Sequence, residues 1–295
     1  MRFYPFVTVD VFTDHRFGGN PLAVFTDARG LSDAEMQALS AEMNLSETTF
    51  VLPADNPAHT ARVRIFNRTH EMPFAGHPNV GTAYVLARAG GDRDGVMLFE
   101  ETAGLVEVRV RRDGAGTVTG ATIAAPQPLS LGPELPADAV AACAGLSPSD
   151  VVVSGHRPVE ASVGVTFVLA EVTGDALTRA APQRDRFRAL ADAHPVLRGR
   201  LSLFLYAQGG ERIRARMFAP LAGTYEDPAT GSANAALAAL LLSLEDGDSG
   251  DFTVVQGVEM GRPSTLHLAA HRAADGFRAR VSGTCVPVFR GEAFV

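Results

Sequence analysis

The sequence predicts a protein of two similar lobes, each of which mixes short strands with one buried helix. A motif is written twice, with Pro, Gly and Ala recurring at an offset of 150: residues 76–83 read Gly-His-Pro-Asn-Val-Gly-Thr-Ala, and residues 226–233 read Glu-Asp-Pro-Ala-Thr-Gly-Ser-Ala. Upstream, Arg-Val-Arg-Ile-Phe at 62–66 is echoed by Arg-Ala-Arg-Met-Phe at 214–218, an offset of 152. The length of 295 residues also suits two domains of roughly 150 residues each. A strand, a loop and a helix repeated in this order predict a duplicated unit with pseudo-twofold symmetry.

In the first lobe, one central helix is predicted among many strands. An earlier helix is well marked, because Ser32 and Glu35 form a capping box and Asn44 suits a C-terminal stop. The central helix is predicted from about Thr82 to Ala89, directly after the first copy of the motif. Strands are predicted at 7–12, 22–25, 45–52, around 64, and at 96–99, 104–110 and 117–123.

A Pro-rich stretch at 126–136 is the predicted linker between the lobes. The first lobe is assigned to residues 1–125, completed by the last C-terminal strand, and the second lobe to residues 126–295. Helices are predicted at 137–144, 183–193 and 233–244, and strands at 151–153, 162–169, 202–207, 213–218, 252–256, 265–269, 277–281 and 286–289.

Composition restricts the classes of partner. The net charge is −7, and the longest basic run, at 109–112, alternates like a strand with one solvated face. Binding to nucleic acid or to an anionic membrane is therefore not expected, and no segment has the roughly 18 apolar residues of a membrane span. Cys143 and Cys285 lack metal-ligand spacing. With no signal peptide recognised, a cytoplasmic protein is predicted.

The repeated motif places ionisable groups at equivalent positions of the two copies. Asp227 and Pro228 have an ordinary explanation, since Asp is a favoured N-cap and Pro a favoured first-turn residue. His77 precedes the equivalent proline, and histidine is a mediocre cap, so the pair favours a functional role. A buried structural histidine is the alternative.

The glycines of the repeated motif indicate which kind of ligand it could bind. Gly81 and Gly231 lack side chains where the loop meets the helix, which leaves the backbone N–H groups of these residues, Thr82 and Ser232 free to approach an anion. Two helix N-termini converging across a cleft between the lobes would bind a carboxylate. The alternative is that each glycine only permits close helix packing.

The predicted site therefore takes a small carboxylate-bearing substrate, with His77, Asp227 and Glu47 as candidate proton-transfer groups. Glu47 is predicted at the start of a strand, where a lone glutamate is more often solvated. The sequence has no phosphate-binding loop, dinucleotide fingerprint, zinc pattern or Gly-x-Ser-x-Gly elbow. The chemistry is accordingly predicted to need no cofactor.

Five segments carry a resemblance to a known family: Phe17–Val24, Asn44–Thr48, Pro73–Pro78, Glu226–Ala233 and Gln256–Ser264. In these segments, the chain resembles the PhzF family of phenazine-biosynthesis-like isomerases. It implies the diaminopimelate-epimerase-like fold, an α+β architecture of two pseudo-symmetric lobes with a barrel-like, mainly antiparallel sheet around a central helix. It also implies a homodimer and cofactor-free acid/base catalysis.

The resemblance also implies roles for single residues. The family's founding activity isomerises trans-2,3-dihydro-3-hydroxyanthranilate by a glutamate-mediated proton shift, which makes Glu47 the acid/base, with His77 and Asp227 as its polar partners. The substrate carboxylate is expected to contact main-chain and small polar groups. These are Gly76, Gly231 and Ser232. Asn20 and Gly81 are also predicted to bind the substrate. Because Asn67-Arg68 departs from the Thr-Pro-like pair expected there, the substrate stays open.

Two alternatives to an isomerase are kept. One is an epimerase or racemase of an amino-acid-like compound that uses His77 or Asp227 together with Glu47 as two bases. A thiol-based racemase is disfavoured, since Cys143 and Cys285 lie outside the motif loops. The other is a non-catalytic small-molecule-binding protein, against which the retention of all three ionisable groups argues.

Overall fold

The computed structural model describes residues 1–197 and 199–295, which form two compact units. Unit 1 comprises Met1–Ala124 and Val281–Val295, and unit 2 comprises Ala125–Arg280. The last strand, β18 (Gly276–Phe294), begins in unit 2 and ends in unit 1.

Unit 1 is a closed barrel of eight strands around one helix. Its elements are β1 (Phe3–Val11), β2 (Asn20–Phe25), α1 (Asp33–Met43), β3 (Glu47–Leu52), β4 (Ala61–Phe66), β5 (Glu71–Met72), α2 (Gly76–Arg88), β6 (Val96–Glu101), β7 (Gly104–Arg112), β8 (Val118–Ala124) and the end of β18. Around the ring, β18, β1 and β2 pair antiparallel, β2 pairs parallel with β3, and β3 pairs antiparallel with β4. Next, β4 pairs parallel with β6, the hairpins β6–β7–β8 follow, and β8 meets β18.

The central helix α2 contacts strands β1, β2, β3, β7 and β8 of this barrel. Ten of its 13 residues are buried, among them the whole run Gly76–Tyr84. A helix buried on nearly every side needs small side chains to fit inside a barrel, which explains the two Gly, two Ala and one Thr among its 13 residues.

Unit 2 repeats the plan with one further layer of helices. Its elements are β9 (Ser130–Glu134), α3 (Ala137–Cys143), β10 (Val151–Val152), β11 (Val159–Ser162), β12 (Thr166–Val172), α4 (Gly174–Arg179), α5 (Arg184–Ala193), β13 (Leu203–Ala207), β14 (Ile213–Ala219), β15 (Thr224–Asp227), α6 (Gly231–Ser243), β16 (Ser249–Gln256), β17 (Ser264–Ala273) and the start of β18. From β11 to β17 the pairings run antiparallel, parallel, antiparallel, parallel and antiparallel, the same series as from β1 to β7 in unit 1.

The duplication is confirmed, but in a different register from the predicted one. Helices α2 and α6 have 13 residues each and begin at Gly76 and Gly231, 155 positions apart. The prediction that the first central helix starts near Thr82 is wrong, because Pro78 lies in the first turn, where a missing N–H costs no hydrogen bond. In this register the counterpart of His77 is Ser232, and Asp227 lies ahead of α6.

Two other predicted elements differ from the structure. The single strand predicted at 162–169 is two strands, β11 and β12, divided by a turn at Gly164, whose φ of +132° suits glycine. The two strands predicted at 277–281 and 286–289 are parts of one long strand, β18. The helix cap is confirmed: Ser32 accepts from the Glu35 N–H, and Asn44 ends α1 with a left-handed φ of 52°.

Candidate functional site

In unit 1, three of the predicted site residues come together at the beginnings of three elements. Asn20 is the first residue of β2 and Glu47 the first residue of β3, and these strands lie side by side in parallel, with Leu22 opposite Glu47. His77 is the second residue of α2. Parallel neighbours bring their N-terminal ends to one edge of a sheet, which places Asn20 and Glu47 together. The start of α2 lies beside them and adds His77.

Hydrogen bonds join these side chains to one more residue, Ser46. The Ser46 hydroxyl donates to Asn20 Oδ1 at 2.9 Å. His77 Nδ1 lies 3.4 Å from Asn20 Nδ2 and 3.4 Å from Glu47 Oε2. Sequence reasoning did not select Ser46, although it adjoins Glu47 in one of the family-like segments. We call Asn20, Ser46, Glu47 and His77 the Glu47 cluster.

His77 is a neutral imidazole in this environment. The residue is 5% exposed, and this burial lowers its pKa to about 3. Protonation near neutral pH would put a charge where water cannot solvate it. At neutral pH, His77 is therefore uncharged, in one of its two neutral tautomers.

The two tautomers of His77 let Nδ1 act either as a donor or as an acceptor of a hydrogen bond. When His77 Nδ1 carries the hydrogen, it can donate to a Glu47 carboxylate. When the hydrogen is on Nε2, Nδ1 is an acceptor for the Asn20 amide or for a protonated Glu47. Nε2 itself is buried and has no hydrogen-bond partner in residues 1–197 and 199–295. In either tautomer, His77 places no positive charge beside Glu47.

In unit 2, Asp227 is held by a network of buried side chains. It is the last residue of β15 and is 7% exposed. Its Oδ2 accepts from Thr230 Oγ1 at 2.5 Å. The N-cap of α6 is Thr230, so the simple explanation of Asp227 as the helix cap is wrong.

Gln256 connects the parts of this network, and sequence reasoning did not select it as a site residue. Its Nε2 donates to the Asp227 carbonyl at 2.8 Å and to Thr230 Oγ1 at 3.1 Å. Its Oε1 accepts from Thr230 N at 3.1 Å and from Asn234 Nδ2 at 2.8 Å. We call Asp227, Thr230, Asn234 and Gln256 the Asp227 cluster. Gln256 is marked in the sequence by the glycine that follows it. Gly257 has a φ of +77°, and a Cβ there would lie 2.6 Å from the Pro228 carbonyl oxygen, so this position requires glycine.

The residues predicted to bind the carboxylate through the motif differ in their position along the helices. Gly76, Gly231 and Ser232 lie in the first turns of α2 and α6, where backbone N–H groups have no partner within the helix. Gly81 is the sixth residue of α2, so the prediction that its N–H group is free to bind an anion is wrong. A Cβ at Gly81 would lie 2.6 Å from Leu22 Cδ2. Gly81 thus serves helix packing, the alternative considered for it.

Neither cysteine takes part in the two clusters. Cys143 and Cys285 are buried and unpaired with each other, and burial raises the pKa of Cys143 to about 12 and that of Cys285 further. Across the described residues, 1–197 and 199–295, no group of three or more His, Cys, Asp or Glu side chains could hold a metal ion. The same ranges hold no helix that is long and apolar enough to cross a membrane.

Known proteins share both the sequence and the fold. The chain is 38% identical to an uncharacterized isomerase of Mesorhizobium japonicum, with 98% of each chain covered. It is 37% identical to trans-2,3-dihydro-3-hydroxyanthranilate isomerase of Pseudomonas chlororaphis, over 97% of this chain and 98% of the relative. The predicted isomerase class agrees with these names.

The solved structures confirm the predicted fold class. A PhzF-family protein of Bacillus anthracis superposes with a TM-score of 0.89 at 24% identity over 100% of both chains. A hydroxyproline epimerase of Agrobacterium vitis superposes with a TM-score of 0.63 at 13% identity, over 99% of this chain and 92% of that one. The model of the family described as phenazine biosynthesis-like protein, PhzC-PhzF, matches residues 9–291. The chain therefore belongs to the PhzC-PhzF family of phenazine biosynthesis-like proteins.

Proposed function

We propose that the protein is an isomerase that moves a proton between two carbons of a small carboxylate-bearing substrate, with Glu47 as the acid/base. The observation that carries this proposal is the Glu47 cluster: a largely buried carboxylate, with a side chain 17% exposed, beside a neutral imidazole. Support also comes from the whole-length relatives at 37% identity, which are trans-2,3-dihydro-3-hydroxyanthranilate isomerases.

The neutral state of His77 matters for the basicity of Glu47. A cation 3.4 Å away would lower the pKa of the carboxylate and make it a poor base. A neutral Nδ1–H orients the carboxylate without that effect. In the proposed step, Glu47 removes a proton from one carbon, the C–H electron pair shifts the double bond, and Glu47–H returns the proton to a second carbon. The substrate keeps its atoms and its electron count.

This step requires no oxidant, reductant or group carrier, so we propose catalysis without a cofactor. The developing negative charge and the substrate carboxylate need hydrogen-bond donors. We propose that the first-turn amide of α2 at Gly76 supplies one donor, with Asn20 as a further polar contact. The substrate contacts of Gly231 and Ser232, in the first turn of α6, stay predictions. The homodimer and the cytoplasmic location stay predictions.

Hydrogen exchange with solvent tests the proposed function. The protein is incubated in D₂O with trans-2,3-dihydro-3-hydroxyanthranilate and with a panel of cyclic and acyclic amino acids, and carbon-bound deuterium and product structure are followed by NMR. We expect deuterium at a carbon of one carboxylate-bearing compound, together with a shifted double bond. Inversion at a single stereocentre without a double-bond shift would establish an epimerase instead. Binding of a compound without exchange would establish a binding protein.

Asp227→Asn is expected to reduce turnover more than stability. The variant keeps the shape and an acceptor for Thr230 Oγ1 but removes the buried charge. Loss of one charge-assisted hydrogen bond from the Asp227 carboxylate to a reacting group, the role predicted for Asp227, corresponds to about a tenfold to hundredfold fall in kcat/KM. Steady-state kinetics and thermal unfolding are measured against Asp251→Asn, an exposed control on β16. A loss of Tm as large as that of a core substitution, at unchanged kcat/KM, would make Asp227 a structural residue.

A further inference from the structure

Glu101, the last residue of β6, has a buried carboxyl group that makes no hydrogen bond within the described residues. Both carboxyl oxygens are buried and have no hydrogen-bond partner in the described ranges, 1–197 and 199–295. Asn79 Oδ1, on the first turns of α2, is a third buried acceptor with no partner there. The Asn79 Nδ2 group donates to the Ala75 carbonyl at 3.0 Å, which ties this side chain to the start of the helix. A buried carboxylate among acceptors would be strongly destabilising.

The internal duplication shows what this position requires. Arg62 on β4 pairs with Glu100 on β6, and its repeat Arg214 on β14 pairs with Val255 on β16. The residues that follow, Glu101 and Gln256, therefore occupy equivalent positions. They are 155 residues apart, the same offset that relates α2 to α6. Gln256 is thus the unit 2 counterpart of Glu101.

The other partners repeat at the same offset. Asn234 Nδ2 donates to the Thr230 carbonyl at 2.9 Å, as Asn79 Nδ2 does to Ala75. In unit 2, the neutral amide of Gln256 both donates and accepts, and it fixes the segment that leads into α6. An ionised carboxylate can only accept, whereas a protonated carboxylic acid, like an amide, offers one donor beside one acceptor.

We propose that Glu101 is held as a neutral carboxylic acid, and that its O–H donates to an acceptor in segment 72–79 as the Gln256 amide does beside α6. Glu101 is then a positioning residue for the first turn of α2, which carries Gly76 and His77. Its influence on turnover rests on the proposed function of the Glu47 cluster, whereas its protonation state does not.

The groups around Glu101 agree with a neutral acid. Burial raises the pKa of Glu101 to about 8, with the Asn79 side chain acting in the opposite direction. Across the β6–β7 hairpin stands Gly104, and the preceding Glu100 is bonded to His59 and to backbone amides. The titratable residue on the adjoining turn of α2 is His77, which is itself neutral.

The proposal is tested on the whole chain without substrate by comparing Glu101→Gln with the wild type. Folding of the wild type takes up a proton wherever Glu101 is protonated only in the folded state, between an ordinary pKa of 4.5 and about 8. Stability therefore falls as pH rises through this window and levels off above it. Relative to the wild type, the folding equilibrium constant of Glu101→Gln is expected to rise up to about tenfold per pH unit in the window. Urea unfolding from pH 5 to 9 measures this change.

Glu107→Gln, at an exposed position of β7, is the matched control and is expected to follow the wild type. Parallel stability curves for wild type and Glu101→Gln would overturn the proposal. Should Glu101→Gln not fold, infrared titration of the wild type decides: a carboxylic-acid carbonyl band persisting to pH 7 supports it, and its absence refutes it. With substrate, the kcat of the wild type is expected to fall near pH 8, where Glu101 ionises. Glu101→Gln is expected to keep kcat near pH 7 and to show no such fall. An absence of turnover in both the wild type and Glu101→Gln would contradict the proposed function but not the protonation state proposed for Glu101.

Discussion

Glu47→Gln is expected to abolish proton transfer while leaving the fold intact. Removal of a general acid/base costs about 10²–10⁴ in rate, and in the proposed reaction Glu47 both takes and returns the proton. Gln is isosteric and can still pair with a neutral His77, since its amide offers both a donor and an acceptor. Deuterium incorporation in D₂O and thermal unfolding are the two measurements.

The matched control is Glu42→Gln, an exposed glutamate on α1, which is expected to exchange like the wild type. Exchange that survives in Glu47→Gln would contradict the assignment and move the acid/base role to His77 or Asp227. Since burial lowers the pKa of His77 to about 3, the pH profile of wild-type kcat is expected to show no step near 6.5 from this histidine.

The sequence allowed the fold to be predicted well because local signals and the duplication agree. The capping box at Ser32 and Glu35 and the alternating apolar strands are local features that the tertiary structure preserves. The register of the repeat could not be obtained in the same way. Gly76, His77 and Pro78 have the composition of a loop, yet they form the first turn of α2 because the barrel buries them.

The site was predicted in part, for a similar reason. Glu47, His77 and Asp227 are ionisable and lie in recognisable motifs, so they were selected. Gln256 makes four hydrogen bonds in the Asp227 cluster, yet its side chain type indicates no chemistry, and its place before Gly257 is its one signal. The buried state of Glu101 depends on how the tertiary structure encloses the end of β6, which composition cannot report.

The largest effect on stability is expected from Arg216→Met. Arg216 is 6% exposed, and its Nε and Nη2 bind the two carboxyl oxygens of Glu226 at 2.8 and 2.9 Å. Its Nη1 donates to the carbonyls of Leu177 and Ala180 at 3.0 and 2.7 Å. The guanidinium carbon also lies 4.9 Å from the ring centre of Phe218. Removing one partner of such a pair costs about 3–5 kcal/mol, because the remaining charge stays buried.

Unit 1 contains the same arrangement around Arg64, in a more solvent-exposed position, and a variant there can be compared with Arg216→Met. Arg64 Nε and Nη2 bind Glu71 at 2.7 and 2.6 Å, and its guanidinium carbon lies 5.1 Å from the ring centre of Phe66. Because the side chain of Glu71 is 30% exposed and that of Glu226 only 9%, Arg64→Met is expected to cost less than Arg216→Met. Urea unfolding of both variants measures the difference.

The double variant Arg216→Met/Glu226→Met separates a buried charge from lost packing. Replacing both partners of a buried ion pair by apolar side chains is often neutral or stabilising, so the double variant is expected to recover most of the stability lost in Arg216→Met. Equal losses in the single and double variants would show that the bonds from Arg216 to the Leu177 and Ala180 carbonyls dominate.

Side chains alternate along β15, so fixing Glu226 on one face also fixes its neighbour Asp227 on the other. A double variant that folds stably yet turns over slowly would therefore identify the ion pair as the element that positions Asp227.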